Sequence, residues 1–458
     1  MRVGILPLGR PTFDVPFAEE KLAAMLAALD ARDLELIGPR TLLMDGDATA
    51  AAVDGILAAN VECLLVLQVT FTDASAIVAA SNRIAAPMAI WATPEPRLGG
   101  RLRLNAFCGL NLASHALGLS GREFGWLYAD PSGEIETDLS DLLAGRRRIK
   151  PVASGAVPGS SDFGKTILAS IKGKRIGRLG AHPDGFDTCA YDVDAMSDLA
   201  GVQVDALELD VLFERARALP DDAAVPVLAQ AQNAVSGLDQ VDQAELDRSL
   251  RLKVALDDLR AEGGYDAFAI RCWPETFTEY GGAVCGPVSM LGEARVPCAC
   301  EADVYGALTQ LVLQEVARDA VFLTDLVDLD ETDNTGVVWH CGQAPISMCA
   351  GDASATIHTN RKMPLLYEFT LKPGRVTLMR ISQAQGVPKM ILSGADMLDR
   401  AMTFTGTSGV LQFDRNAGDV MQSVMDTGLE HHMALVYGDH RAALRDVAGA
   451  MGLPVLEI

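Results

Sequence analysis

Aromatic residues are scarce in this 458-residue chain, at 5%, and positive charge is outnumbered. Only 38 Lys and Arg stand against 61 Asp and Glu, a net charge of −23. A surface of that sign repels phosphate backbones and anionic lipid, so nucleic-acid binding would need a local basic patch. The two basic clusters, Arg146-Arg147-Arg148 with Lys150 and Lys172-Lys174-Arg175, carry no interleaved aromatics and read as solvated faces. No window reaches the ~18–20 apolar residues of a membrane span. The opening MRVGILPLGR reads as a first strand rather than a signal peptide, which leads to the expectation of a cytoplasmic protein. Nine cysteines show no disulfide framework, and the lone Cys298-x-Cys300 has no second pair at zinc-site spacing, so reduced, mostly buried thiols are expected. Also missing are GxxxxGK[ST], GxSxG, HExxH and the GxGxxG fingerprint. These absences leave no sequence signature for a P-loop NTPase, an α/β-hydrolase, a zincin or a dinucleotide enzyme.

What is present suits a multidomain enzyme. Hydrophobic residues are 49% and charged residues 22%, and the length exceeds one hydrophobic core. The fold class read from the pattern is α/β: two doubly wound Rossmann-like domains followed by a β-rich C-terminal domain. The N-terminal domain, 1–170, alternates strands (Val3–Leu8, Cys63–Val69, Pro87–Trp91) with helices (Ala18–Leu29, and Asp73–Arg83 capped by Thr72 or Asp73). Pro151–Lys165, rich in Gly, Ser and Pro, marks a boundary. The central domain, 171–330, has strands Arg175–Leu179 and Ala267–Ile270 and helices Gln243–Arg260 and Ala302–Ala317. The third domain, 331–458, holds the β-prone runs Val337–Trp339, Leu366–Leu371, Val376–Ile381 and Val387–Leu392, then a helix His440–Met451 and a strand Pro454–Ile458.

Chemistry concentrates between Ala267 and Gln343 and near the C-terminus. Glu301 precedes a helix, Asp325 follows the apolar run Ala320–Leu323, and His340 ends a strand. The late block GLEHHMALVYGDH carries His431 and His432. The strand-end positions of the two acids put them at the edge of an open α/β sheet, where ligands bind. Carboxylates with one or two imidazoles suit Mn²⁺, Mg²⁺ or Co²⁺. Each residue also has an ordinary reading: Glu301 as a carboxylate at a helix N-terminus, Asp325 as a loop cap, His340 as a satisfied core residue.

The run Cys300-Glu301-Ala302-Asp303, the acid Asp325 about 24 residues on, the strand-end His340 and the block Gly428–Gly438 together resemble the L-fucose isomerase / L-arabinose isomerase superfamily. Leu104–Trp126, with Asn105, Asn111, His115 and the REFG run from Arg122, resembles the arabinose-isomerase side. The resemblance implies a metal-dependent aldose–ketose isomerase acting on an open-chain sugar through a cis-enediol. Glu301 and Asp325 would be metal ligands and acid/base groups. His432, five residues before Tyr437, would be the third ligand in preference to His431, and His340 matches a fourth ligand of arabinose isomerases. The cofactor implied is Mn²⁺, with Mg²⁺ or Co²⁺ as alternatives. The partners implied are a small sugar and further copies of the chain, as a trimer or hexamer with sites near subunit interfaces. Candidate substrate contacts are Trp273, Arg10, His115 and His182, with Arg10 and His115 open to acting in a neighbour's site. Glu275, Tyr280, His358, Arg361 and Lys389 are further candidates, and His440 reads as helix surface. Two other readings stand beside this one: an epimerase or lyase on the same scaffold, and a non-catalytic sugar-binding protein. The sugar is open among pentoses, 6-deoxyhexoses and anionic or sulfonated hexoses.

Overall fold

The computed structural model describes residues 1–150, 152 and 155–458, so residues 151, 153 and 154 of the expected boundary segment lie outside the described residues. Among the described residues eighteen strands form three sheets. The first sheet is parallel, in the order β2 (Glu35–Ile37), β1 (Arg2–Leu8), β3 (Cys63–Gln68), β4 (Met88–Ala92), β5 (Phe124–Tyr128). Its strands are short continuous apolar runs because helices cover both faces. The order reverses between β1 and β3, and the loops after their C-terminal ends carry Arg10 and Asp73. That edge is where a doubly wound sheet binds ligands. The helix expected over Asp73–Arg83 spans Ser75–Arg83, and Asp73 accepts the Ser75 N–H at 3.1 Å.

The second sheet is also parallel: β7 (Gln203–Leu207), β6 (Arg175–Leu179), β8 (Ala267–Ile270), β9 (Cys298–Ala299). The third sheet runs β12 (Ser354–Thr356), β13 (Leu366–Thr370), β16 (Thr407–Phe413), β11 (Thr335–His340), β10 (Phe322–Asp330), β17 (His432–Tyr437), β14 (Gly374–Ser382), β15 (Lys389–Met397), β18 (Val455–Glu457). An added β15–β16 pairing closes six antiparallel strands, β16-β11-β10-β17-β14-β15, into a ring. Closure removes the sheet edges that an open antiparallel sheet would leave.

The expected division at 330 moves. Phe322–Asp330 does not extend the central parallel sheet; it is the first strand of the third sheet, paired antiparallel with β11 and β17. The reason is the turn Glu331–Asn334, which returns the chain at once, as only an antiparallel neighbour permits. Asp325 therefore belongs to the β-rich body, while Glu301 stays on the central one. The helix Asp162–Ile171, expected to close the first domain, packs instead with the helix Arg441–Met451. Asp446 accepts the Gly164 N–H at 2.9 Å there.

The helix Ala106–Leu119 lies between the first and third sheets and is buried around nearly its whole circumference. Its entry is fastened by Glu95, whose carboxylate accepts the N–H groups of Arg103, Leu104 and Asn105 at 2.6, 2.7 and 2.9 Å. Burial pushes the Glu95 carboxyl up to about 7, against those three bonds. A folded-state value above the unfolded one favours the protonated fold, so this contribution is present at low pH and fades as pH rises through about 7. Between about pH 5 and about pH 8 the native chain should lose on the order of 2 kcal/mol more stability than Glu95→Gln. Denaturant melts of both proteins at the two pH values check this; parallel slopes would remove Glu95 as the cause.

Candidate metal centre and active site

Sheet register builds the core of the site. In β10 Asp325 lies directly opposite His432 of β17. Directly opposed residues of an antiparallel pair share a face with their Cβ atoms roughly 5 Å apart. His432 Nε2 accordingly stands 3.5 Å from Asp325 Oδ1 and 3.8 Å from Glu301 Oε2. Donors sharing one divalent ion at about 2.1 Å are separated by roughly 3–4 Å, so each of these two imidazole–carboxylate pairs has the spacing of ligands to one ion. Asp325 Oδ1 is buried and has no hydrogen-bond partner among the described residues, as a carboxylate oxygen reserved for a cation would be. Two donor sets whose atoms lie within 4.8 Å of one another share His432: Asp325, His340 and His432 form one, and Cys189, Glu301, His431 and His432 the other, so Glu301 and Asp325 fall in different sets.

Glu301 arrives from the second sheet. It follows β9 in a single turn of 3₁₀ helix, Cys300–Ala302, and has a left-handed backbone, φ 58°. Left-handed φ at a non-glycine costs on the order of 1 kcal/mol and persists where the surroundings enforce it. The enforcing contacts are visible: Trp273 Nε1 donates to Glu301 Oε1 at 3.0 Å, and His431 Nε2 lies 2.9 Å from Oε2. Burial works to raise the Glu301 carboxyl, but His431, His432 and Trp273 outweigh it and hold it below the usual range. The same Glu301 contact raises His431 against the downward pull of burial.

Asp303 supplies a support that the sequence did not assign. Its carboxylate accepts from the helix N-terminus at Gly306 N (2.8 Å), binds Arg380 through both oxygens (2.5 and 3.0 Å) and meets His432 Nδ1 at 2.9 Å. Burial would raise its carboxyl; Arg380 and His432 press it well below the ordinary range instead. Bonding Nδ1 to a fixed carboxylate orients the imidazole and leaves Nε2 as the free donor toward Asp325 and Glu301. Asp303→Asn should weaken divalent-metal affinity by about 10- to 100-fold and cost on the order of 3 kcal/mol by stripping the fully buried Arg380 of its bidentate partner, leaving Glu430, 3.9 Å from Nε, to answer its charge. Metal titration and thermal melting read the two effects separately; metal affinity equal to the native value would sink the orienting role.

His340 ends β11 beside this cluster. Its Nδ1 accepts the Cys341 N–H at 2.9 Å, which puts the proton of a neutral ring on Nε2. Nε2 is buried and without a protein partner among the described residues. Trp273, Glu301, Asp325, His340 and His431 line one cavity of about 100 Å³, together with Arg10, His358 and Arg361. A second cleft of about 450 Å³, at the C-terminal edge of the first sheet, shares Arg10 with it but has no imidazole.

The other candidates separate. Arg10 reaches the cavity of its own chain and is held by Asp73 at 2.5 Å. His115 does not line the cavity: it is fully buried on its helix, with Nδ1 2.8 Å from Gly428 O, and so is sealed from a neighbour's site as well. His182 lies in the loop after β6 without lining the cavity, though that loop delivers Phe186, whose ring edge meets Trp273 and His431. Glu275 pairs with Arg271, Tyr280 donates to Arg248 O, and Lys389 to Ala384 O, all away from the cavity. His440 precedes the final helix, its Nε2 3.0 Å from Tyr437 O rather than capping the helix. One thiol expectation is corrected: Cys272 and Cys300 form a disulfide with Cα atoms 5.8 Å apart. The cause is the parallel pairing of β8 and β9, which brings the residues after both strands together.

Residues 4–153 match the family model described as the fucose/sulfoquinovose isomerase N-terminal domain. Over 99% of its length the chain is 31% identical to a sulfoquinovose isomerase from Alkalicoccus urumqiensis, covering 98% of that protein. The chain belongs to the fucose isomerase-like superfamily. Sulfoquinovose isomerases from Priestia megaterium (29% identity, 95% of this chain, 94% of the relative) and Clostridium sp. strain MSTE9 (29%, 99% and 98%) match in the same end-to-end way. This superfamily member is an isomerase, an intramolecular oxidoreductase, and the likeness supports sugar aldose–ketose isomerisation. A solute-binding protein with bound D-allose aligns at TM-score 0.20 and 11% identity over 69% of this chain and 92% of its own, too slight a likeness to bear on the site. Among the described residues no helix is long and apolar enough to cross a membrane.

Proposed function

We propose that the chain is a divalent-metal-dependent aldose–ketose isomerase that works through a cis-enediol, with a sulfonated hexose such as sulfoquinovose as its aldose. The single observation that carries the reading is the meeting of Glu301, Asp325 and His432 from two sheets, with His432 Nε2 within 3.8 Å of both carboxylates. Names of the full-length relatives support the substrate. Glu301, Asp325 and His432 would hold the ion, Mn²⁺ by the resemblance and Mg²⁺ or Co²⁺ otherwise. When bound it would polarise the substrate carbonyl and stabilise the enediol's negative charge. Glu301 takes the proton from the carbon beside the carbonyl and returns it to the neighbouring carbon, held on line by Trp273 and His431. Asp325, with Oδ1 left to the ion, would serve the hydroxyl proton through the rest of its carboxylate. His340 is within reach as a fourth ligand, but its Nε2–H fits a hydrogen bond to a sugar hydroxyl better. Phe71, Trp273 and Trp339 limit water around these groups.

The test is proton NMR in D₂O with Mn²⁺ and sulfoquinovose. The expected result is a 2-ketose product with one deuteron at C1, deuterium at C2 of the recovered aldose, and no carbon–carbon cleavage. A C2 epimer as sole product, or cleavage fragments, would transfer the same residues to an epimerase or lyase. A homotrimer or homohexamer accompanies the proposal and is checked by light scattering.

A further inference from the structure

The proposed isomerase chemistry lies at the Trp273 N–H, which bonds Glu301. The ring of the same indole is flanked by cations. Arg10 Cζ lies 5.3 Å from the Trp273 ring centre and 5.2 Å from that of Phe71, and Arg361 Cζ lies 5.5 Å from the Trp273 ring. The two guanidinium groups come from different bodies, Arg10 from the loop after β1 and Arg361 from the β12–β13 connection. Their charges are answered unequally. Arg10 is paired with Asp73 at 2.5 Å. Arg361 forms no ion pair and no side-chain hydrogen bond among the described residues, although it is half-buried in the cavity beside a second cation.

The backbone around Arg361 is arranged to present it. His358 Nδ1 accepts the N–H groups of both Asn360 and Arg361 at 3.2 Å, and the His358 ring is braced edge-on against Phe277 at 5.2 Å. Asn360 Oδ1 accepts from Arg101 at 2.9 Å. A long cation with rotamer freedom is thus carried on a fixed turn, next to an indole, with its hydrogen-bonding edge unclaimed. Stacking alone would explain the ring contact but not the absence of a carboxylate. A group with several equivalent anionic oxygens satisfies the planar fork of a guanidinium better than a hydroxyl does.

We propose that Arg361, with Arg10 beside it, is the specificity-determining contact for a sulfonate at the sugar carbon farthest from the reacting carbonyl. This rests on the isomerase reading of the Glu301 side of the same cavity, since it is that assignment which fixes which end of the sugar faces the arginines. Arg361 supplies the main pairing; Arg10, already shared with Asp73, adds charge and a second donor.

The experiment compares the metal-loaded native enzyme with Arg361→Gln and Arg361→Lys. One arm measures calorimetric binding of 6-deoxy-6-sulfoglucitol, an open-chain alcohol that cannot isomerise, against glucitol. The other measures kcat/KM on sulfoquinovose and on glucose. Loss of one charge-assisted contact should raise the Kd for the sulfonated alcohol by roughly 10- to 100-fold in Arg361→Gln, with partial recovery in Arg361→Lys. The preference for sulfoquinovose over glucose should fall by a similar factor, carried mainly by KM. A Kd for the sulfonated alcohol within twofold of the native value in Arg361→Gln overturns the assignment, whatever the turnover. If the native enzyme isomerises no aldose, the isomerase reading fails by itself, and the binding arm still decides whether this is an anion site.

Discussion

An enzyme carrying Glu301→Gln should fold, melt close to the native temperature and exchange no measurable deuterium into sulfoquinovose. Glutamine keeps the length of the side chain and can still accept from Trp273 Nε1, so the left-handed turn at 301 retains one of its two fasteners. It cannot take a proton from carbon, and its amide is a poor ligand beside a carboxylate and an imidazole. General-base loss alone is worth about 10²- to 10⁴-fold. Weakened metal binding adds to it, so a fall in kcat/KM of at least about 10³-fold is expected. Glu301→Asp separates the two causes: it keeps the charge and shortens the reach, so metal affinity should survive better than turnover. The wash-in experiment decides. A Gln variant with native exchange would leave Glu301 as a structural acid, paired with His431 at 2.9 Å and nothing more.

The residues that gather at the candidate centre could be named from the sequence, but their arrangement could not. Glu301, Asp325 and His432 were singled out by type and by the order the resemblance implies, whereas Asp325 lies inside the strand Phe322–Asp330 rather than after an apolar run ending at Leu323, and no strand was expected at His432–Tyr437. What places them together is sheet register, Asp325 opposite His432, which periodicity alone does not specify once a strand is buried on both faces. The same double burial hid the domain boundary: FLTDLVDLD has the apolar density of a parallel core strand and gives no sign that it turns back into β11. Asp303 was on the page as a motif letter, yet its role depends on Arg380, 77 residues away, and on His432 beyond it. The Cys272–Cys300 bridge had the same obstacle, because cysteine counting says nothing about which strands lie side by side. His115 misled for the opposite reason. Polar residues on a helix buried all round satisfy carbonyls at the ends of neighbouring elements, as His115 and Ser114 do at Gly428 and Met425, the cap and last turn of the helix Ala417–Thr427. Nothing in their spacing distinguishes that use from catalysis.

Removing the metal should abolish isomerisation and also loosen the third domain. Dialysis against EDTA is expected to reduce turnover to background, with Mn²⁺ restoring it at one equivalent per chain. The stability effect follows from mass action: a ligand bound only by the folded state at about 1,000 times its dissociation constant stabilises by roughly 4 kcal/mol. The contribution should be this large because the apo centre keeps Glu301 and Asp325 each within 3.8 Å of His432 Nε2, and that imidazole is drawn downward by burial and by the neighbouring His431 and so inclined to stay neutral. Two carboxylates beside one neutral imidazole gain from a cation placed among them. The melting transition should therefore move up by several degrees on adding Mn²⁺, and Asp325→Asn, which removes one of the two charges, should shrink that shift while also removing activity. His340→Gln discriminates the count of ligands: if the ring donates from Nε2–H to the sugar, this variant keeps one equivalent of metal and nearly the full thermal shift while losing turnover. Loss of metal stoichiometry in His340→Gln would make the ring a fourth ligand. Full activity after exhaustive chelation, with no metal left by elemental analysis, would end the metal-centred reading altogether and leave Glu301 and Asp325 to work as a bare acid pair.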